Sequence, residues 1–485
     1  MELKIYNTLT RTKEVFKPMS APDVRIYVCG PTVYDFLHVG NFRGPVVFNL
    51  IRNYLEILGY KVTYAMNFTD IDDKIIRRAN EKGVTSEALT EQYIAEYKRD
   101  FQILGLRPHD LNPKVTEHLS AINEMISTLV KNETAYVVDG DVWFSIEKFK
   151  EYGKLSGRNV DELMAGARVE IEEKKRNPMD FALWKSAKPG EPAWDSAWGK
   201  GRPGWHIECS AMNKAIFGDQ IDIHGGGTDL MFPHHENEIA QTEGCTHKTF
   251  SKYWIHWHML NFSGQKMSKS VGNILSLREF TEKYHAEIYK FMILSVHYRS
   301  VAEFSDEVVH RTISSLAKVY SSLAIADLYV NQAGTDAVAS PKMTPATDAL
   351  WNRVLMALSD DFNMAEVMAI VYEVVKAFNQ GVKRGLKTNP AVLEKCVQFK
   401  LFFSKLSHLT SLFGEEATTF LKFLDDKLIQ IYGIDVKQVE ILIDQRKQAR
   451  ADKNFALSDQ LRDQLNQMKI AISDTPDGMF WEVMK

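Results

Sequence analysis

The sequence predicts an α/β chain in which a parallel-sheet domain, interrupted by an insertion, is followed by an α-helical bundle and a small C-terminal module. Three observations predict it. Strand and helix patterns alternate through residues 1–130 and again through 200–260. Between them, 131–199 turns polar and rich in Trp, Gly and Pro. From about 306 onward the apolar residues follow a helical period. The length of 485 residues fits several domains, because single cores stop growing at roughly 250–300 residues.

Arg25–Gly30 (RIYVCG) is a short apolar strand candidate. Over Phe42–Leu58 the apolar Val46, Val47, Leu50, Ile51, Tyr54, Leu55 and Leu58 recur at helical spacing, and Lys61–Thr69 reads as the next strand. Strand, helix and parallel strand make a βαβ unit, usually right-handed and buried on both faces. Tyr136–Phe144 reads as a hairpin turning at Asp139-Gly140. After the insertion come a helix at Trp205–Phe217, a strand at Gln220–His224, a turn at Gly225-Gly226-Gly227, a helix near Pro233–Glu243 and a strand at Tyr253–Leu260. A linking region, 261–305, leads into the bundle, 306–415, within which Ala333–Thr347 reads as a loop. The module at 425–485 shows two short helices and a turn at Asp474–Gly478.

Hydrophobic residues are 45% and charged residues 25%, which suits a folded chain and excludes long disorder. No run approaches the roughly 18 apolar residues of a membrane helix. Met1–Thr10 lacks a basic-then-apolar secretory pattern, so a cytoplasmic location without membrane contact is expected. The four cysteines, Cys29, Cys209, Cys245 and Cys396, are too few and too scattered for a disulfide framework and are expected as buried thiols or metal ligands. A formal charge of -4 excludes nonspecific nucleic-acid binding by the whole chain and leaves local basic patches for such a partner.

Two motifs point to a nucleotide. Pro31–Asn41 ends in His38-Val39-Gly40-Asn41, after a strand and before a helix, where unpaired N–H groups and the helix dipole attract phosphate. Gly40 admits a close approach, and His38 and Asn41 offer donors. Lys266-Met267-Ser268-Lys269-Ser270 follows Ser263-Gly264-Gln265. Two lysines three apart on a Gly/Ser loop can close on a polyphosphate and neutralise charge that builds in the transition state. Alone, the first motif is more often a helix cap and the second a solvated loop. Together and in this order they resemble the two signatures of class I aminoacyl-tRNA synthetases, with Asn41 standing where the usual H-I-G-H has its second histidine.

A third constellation has metal-ligand chemistry. Cys29 ends the first strand, Cys209 lies in a helix, and His234 and Glu238 stand four apart, on one helix face. Two thiolates, an imidazole and a carboxylate make a zinc-like set. His206, His224 and His235 remain as alternative ligands.

The motifs V-C-G-P-T-V-Y-D-x-x-H-V-G-N, N-F-T-D-I-D-D-K at Asn67–Lys74, G-W-H-I-E-C-S-A-M at Gly204–Met212, D-I-H-G-G-G-x-D-L-x-F-P-H-H-E-N-E at Asp222–Glu238 and K-M-S-K-S resemble those of the cysteinyl-tRNA synthetases over the full length. The resemblance implies a Rossmann-like catalytic domain (1–130 and 200–260), a connective insertion (131–199), a stem-contact region with the lysine loop (261–305), a tRNA-binding bundle (306–415) and an anticodon-binding module (425–485). It implies ligation of L-cysteine to tRNA(Cys), with ATP and Mg2+, through a cysteinyl-adenylate. His38, Asn41, Lys266 and Lys269 would be catalytic, with Gly40 and Ser268 adding to the ATP site. Gly30, Thr69, Trp205 and Asp229 would hold the substrate cysteine. Cys29, Cys209, His234 and Glu238 would bind one Zn2+ per chain. Arg446, Lys447, Arg450 and Lys453, at i, i+1, i+4 and i+7, form a basic stripe on a helix that would meet tRNA. Met479 departs from the family pattern, where a small polar residue is expected. A monomer is expected. Two rivals share parts of this pattern: a ligase joining cysteine to an amino sugar, and a non-catalytic RNA-binding paralogue. Arg446–Gly478 argues against the first, and intact His38, Lys266 and Lys269 against the second.

Overall fold

The computed structural model describes residues 2–158, 174–262, 265–266, 275–333, 342–475 and 478–485. They divide into two units: Met1–Leu277 with Val296–Ala302 and Leu358–Asn363, and Arg278–Ser295 with Glu303–Ala357 and Met364–Lys485. The expected region 261–305 is shared between the two units, whereas 306–415 and 425–485 lie almost wholly in the second.

In the first unit an N-terminal hairpin, β1 (Lys4–Asn7) and β2 (Thr12–Val15), precedes β3 (Asp23–Val28). The helix expected at 42–58 is α1 (Arg43–Ile57), followed by β4 (Lys61–Met66), α2 (Asp73–Lys82), α3 (Ser86–Ile103) and α4 (Leu119–Lys131). Nearly all of α1 is buried because it packs on the sheet: Val46, Val47, Phe48, Leu50 and Ile51 are inside. The insertion forms its own antiparallel sheet in the order β5 (Ala135–Val138), β6 (Asp141–Phe144), β7 (Phe181–Ser186) and β8 (Gly201–Pro203). Its first two strands are the expected hairpin, with Asp139 and Gly140 both at positive φ. Then come α5 (Trp205–Phe217), at the expected bounds, β9 (Ile221–Gly227), a single π-helical turn at Met231–His235, α6 (Glu236–Thr246) and β10 (Ser251–Trp257).

The main sheet runs β10-β9-β3-β4, and every pairing in it is parallel. The chain builds β3 and then β4 to one side, and later returns to add β9 and β10 on the other. The direction reverses between β3 and β9. Such a switch point, at the carboxyl ends of the strands, is where open α/β sheets form a ligand crevice.

Gly225, Gly226 and Gly227 are not the expected turn; they are the buried last three residues of β9. The reason is close approach. A Cβ at Gly225 would lie 2.2 Å from Phe48 of α1, and one at Gly226 2.3 Å from the His235 ring. Helix and histidine press on this strand too closely for any side chain.

In the second unit the apolar helical period produces α7 (Leu277–Lys283, beginning at the unit boundary), α8 (Ala286–Leu294), the long α9 (Asp306–Ala333), α10 (Pro345–Ser359), α11 (Met364–Gly381), α12 (Pro390–Thr410) and α13 (Ala417–Tyr432). The boundary expected at 425 falls inside α13, whose Phe420, Leu424 and Leu428 are buried. The module's two helices are α14 (Val436–Ala451) and α15 (Phe455–Gln467). Around the expected turn are two unforeseen strands, Ile470–Thr475 and Gly478–Val483, paired antiparallel. Among the described residues no helix is long and apolar enough to cross a membrane.

Gly225→Ala should destabilise the protein by about 1–3 kcal/mol, the usual cost of overpacking a tight core. Urea unfolding checks this, and an unchanged midpoint would mean that α1 can move away from β9.

Candidate metal and nucleotide site

The switch point brings Cys29 beside β9: Val28 pairs with Gly225, and the Cys29 N–H donates to the Gly225 carbonyl at 3.2 Å. Cys209 arrives from α5, His234 from the π turn and Glu238 from the first turn of α6. All four are buried, and their donor atoms lie within 4.8 Å of one another. Cys29 Sγ is 3.5 Å from His234 Nε2 and 3.1 Å from Glu238 Oε1, and the latter two atoms are 3.1 Å apart. A tetrahedral zinc with bonds near 2.3 Å to sulfur and 2.0 Å to nitrogen or oxygen has edges of roughly 3.5 Å from sulfur to nitrogen or oxygen and roughly 3.3 Å between nitrogen and oxygen. The cluster is close to those dimensions, so its donor set and its size both fit a zinc ion. His234 precedes α6 rather than belonging to it, yet the expected i, i+4 pairing with Glu238 is kept.

The electrostatics show what an ion would replace. Burial and then Cys209 hold the Cys29 thiol well above its usual range. A hydrogen bond from Cys29 draws Cys209 down to about 6, against burial and the Glu238 charge. Burial opposes a charged His234, but Glu238 and Cys209 outweigh it and carry the ring up to about 10. Burial also opposes ionisation of Glu238, yet His224 and His234 hold it well below the carboxylate range. These directions favour negative charge on Cys209 and Glu238 and positive charge on His234, and leave Cys29 the less acidic of the two thiols.

Outside these four, Trp205 stacks on the His234 ring at 4.4 Å and 26°. Three N–H groups of the insertion, from Gly153, Leu155 and Ser156, donate to the buried Glu236 carboxylate. That bond set ties the insertion to the helix that carries Glu238. Gly30 is forced: a Cβ there would lie 1.8 Å from the Asn67 carbonyl oxygen, while its N–H donates to Asn67 Oδ1 at 2.9 Å.

Next to the cluster opens a cavity of about 550 Å3. Cys29, Gly30, His38, Gly40, Asn41, Trp205 and Asp229 all line it. Thr69 does not line it; it is buried, and its hydroxyl donates to Glu208 at 3.3 Å. Asn41 has a local task that explains its tolerance at this position. Its Oδ1 accepts from the His38 N–H at 3.0 Å, and its own N–H donates to the His38 carbonyl at 2.9 Å, which closes the turn into α1. Ser268 and Lys269 lie outside the described residues, and only the backbone of Lys266 is described. The ends of their segment are placed, however. Asn261 pairs with Lys266 in a short hairpin, and Ser276 forms a β-bridge with His38. The chain that follows the lysine segment thus lies beside the His38 turn.

The basic stripe differs from expectation. Arg446 is buried and gives two hydrogen bonds to Asp474, at 3.1 and 2.9 Å. Arg450 also binds Asp474, and Lys447 pairs with Asp444. Lys453 stands beyond the end of α14 at φ 59°, off the helix face. Two of the four charges are therefore spent on fastening the terminal hairpin, and the Arg446 guanidinium also meets Met479 Sδ at 3.1 Å. Sequence reasoning missed Asn67 and Glu208, buried behind the cavity, which bond to Gly30 and Thr69. Glu208 sits inside G-W-H-I-E-C, and an acid on the otherwise apolar face of α5 was the available signal. Burial, then the Cys209 charge, raise its carboxyl well above the usual range.

The comparisons agree in kind. Residues 15–314 match the model of the tRNA synthetases class I (C) catalytic domain, and residues 353–413 that of the DALR domain. The chain is 58% identical over 483 residues to a cysteine--tRNA ligase of Bdellovibrio bacteriovorus and 45% identical over 487 residues to that of Geobacter metallireducens, covering 100% of each chain in both cases. Among solved structures, Mycobacterium tuberculosis methionyl-tRNA synthetase in complex with methionyl-adenylate superposes with a TM-score of 0.59 at 14% identity, covering 83% of this chain and 94% of that one. At that identity the likeness speaks for the fold.

Metal binding should displace the protons on Cys29 and His234. Near pH 7.5 the apparent affinity should rise with pH, with about two protons released per ion. Calorimetry in buffers of different ionisation enthalpy measures this, and release of none would contradict the charge state described above.

Proposed function

The chain belongs to the cysteine--tRNA ligase family of class I aminoacyl-tRNA synthetases, and on that premise we propose how its residues divide the work. It ligates L-cysteine to tRNA(Cys) at the expense of ATP, through a cysteinyl-adenylate. Cys29 supports this best, because it belongs at once to the zinc-fitting cluster and to the wall of the cavity that holds His38, Gly40 and Asn41.

Cys29, Cys209, His234 and Glu238 hold one zinc ion. When bound, it supplies a soft acceptor that favours the thiol of cysteine over the harder hydroxyl of serine. A pocket reading shape alone separates such near-isosteres by only roughly 100-fold. Gly30, Thr69, Trp205 and Asp229 position the amino acid; Thr69 does so from behind the wall, through Asn67 and Glu208. The ATP base lies against the His38–Asn41 turn, and its phosphates, with Mg2+, lie under Lys266, Ser268 and Lys269. The cysteine carboxylate, already ionised, attacks the α-phosphorus in line, and pyrophosphate leaves. No general base is required, so positioning and charge stabilisation carry the rate. The terminal ribose hydroxyl of the tRNA then attacks the adenylate carbonyl and AMP leaves. The DALR-matching helices and the C-terminal module hold the tRNA, with Lys447 and Lys453 the basic residues of the stripe that Asp474 does not claim. We assign the protein to the cytoplasm, as a monomer.

Pyrophosphate exchange with each of the twenty amino acids tests the activity: cysteine should support exchange, serine should not, and elemental analysis should find one zinc per chain. Exchange with another amino acid, or none, would overturn the assignment. In the same assay Lys269→Ala should lower kcat by about 100-fold or more, as loss of a transition-state contact does, and change the KM for ATP far less. A change in KM alone would make that lysine a ground-state phosphate binder.

Removal of residues 434–485, a cut placed after α13 rather than inside it, should leave cysteine-dependent exchange nearly intact and cripple aminoacylation. Charging by the truncated chain at the full-length rate would deny the module a tRNA role.

A further inference from the structure

Two buried donor sets share one edge of the metal cluster. Cys29 and Glu238 belong to both; Cys209 and His234 complete one set, and His224 and His235 the other, with all donors of each set within 4.8 Å. Glu238 reaches one histidine of each set with a different oxygen. Oε1 is 3.1 Å from His234 Nε2, and Oε2 is 3.4 Å from His224 Nε2. Cys29 Sγ is 3.5 Å from His224 Nε2 and also 3.5 Å from His234 Nε2. The shared edge therefore faces His224 much as it faces His234.

His235 is wired as metal-bound histidines are. Such a ring has its second nitrogen held by an outer partner, which fixes its orientation. His235 Nδ1 is 2.7 Å from His256 Nε2, and His256 Nδ1 is 2.9 Å from the Thr8 hydroxyl. His234 is held the same way, with Nδ1 3.0 Å from His206 Nδ1. The other nitrogen of His235, Nε2, is fully buried without a hydrogen-bond partner. His235 Nε2 stands 4.0 Å from Glu238 Oε1. Buried ring nitrogens are rarely left so. His224 is fixed by ring packing instead, stacked on Tyr27 and set against Trp254.

We propose that Cys29, Glu238, His224 and His235 form a second, inner seat for a divalent transition metal. It shares the Cys29–Glu238 edge with the outer set, so that one ion can be held from either side. The inner seat offers one thiolate, two imidazoles and a carboxylate, a harder set than the two-thiolate outer one, and suits Zn2+, Co2+ or Ni2+. An ion that loses Cys209 or His234 has a place to stay within the same wall. The outer set alone has no such reserve.

Cobalt(II) is the probe, because its thiolate charge-transfer absorption grows with the number of sulfur ligands. Wild-type protein, stripped and reloaded, should bind one cobalt per chain with two-thiolate intensity. Cys209→Ala/His234→Ala keeps only the shared edge of the outer set. It should still bind one cobalt per chain, at about half that intensity and with an affinity lower by roughly 10–100-fold. Adding His224→Ala should abolish binding. A folded double variant that binds no cobalt overturns the inner seat, and so does one whose binding His224→Ala leaves unchanged. A milder pair reads the same seat if the double variant does not fold. His224→Gln should weaken cobalt binding at least about tenfold in a Cys209→Ala background and less than about threefold in the wild type, the non-additivity of a shared site; equal losses in both backgrounds overturn the proposal. The inner seat rests on the metal assignment above, and the wild type separates the two. A wild type without stoichiometric metal defeats that assignment, whereas metal in the wild type and none in the double variant defeats only the inner seat.

Discussion

The parallel register between Val28 and Gly225 is the constraint on which the site depends. It sets Cys29 at the carboxyl end of β3 and the glycine run of β9 side by side, where the winding of the sheet reverses. A slip of one residue would turn every side chain of a strand to the opposite face. Cys29 would then leave the cluster, and Phe48 and the His235 ring would meet the wrong parts of β9. The glycines enforce the register from the other direction, since only residues without Cβ let helix and histidine approach so closely. Core packing and ligand placement are one requirement here.

A cluster of this kind is costly to bury. Two thiols, a carboxylate and several imidazoles lie out of water, and removal of one partner from a buried charge pair typically costs about 3–5 kcal/mol. The chain meets the cost with nested support. His206 holds His234, His256 holds His235, and Thr8 holds His256. Burial keeps the supporting rings neutral, with His256 lowered to about 3 and His206 and His235 well below the usual imidazole range. Charge is thereby concentrated on Cys209, His234 and Glu238. The clamp of Glu236 on the 153–156 turn fastens the insertion to the start of α6, one turn from Glu238.

Much of this was legible in the sequence. Helical spacing gave α5 at its true bounds, and the four expected ligands converge as their motif implies. What escaped depended on tertiary neighbours. Three glycines in a row have the local signature of a turn, and only Phe48 and His235, distant in sequence, make them a strand. The stripe on α14 looked free because Asp474, which captures Arg446 and Arg450, lies 28 and 24 residues away. Of the terminal hairpin only the turn shows in the sequence, because among the described residues its strands pair only with each other and belong to no larger sheet. Thr69 stands behind the cavity rather than on its lining, a place set by its bonds to Asn67 and Glu208, which no spacing announces.

The donors shared by the two sets also fix when the proposed ion would find its site. Cys29 and Glu238 are 209 residues apart, with the whole insertion between them. A nascent chain exposes Cys29 early, yet every other donor of both sets belongs to the second half of the sheet. During synthesis, which proceeds from the N-terminus, the ion has no home until α6 has emerged and β9 has docked against β3. Completion of either donor set is thus a late event in the life of the polypeptide, one that marks the joining of two separately made halves.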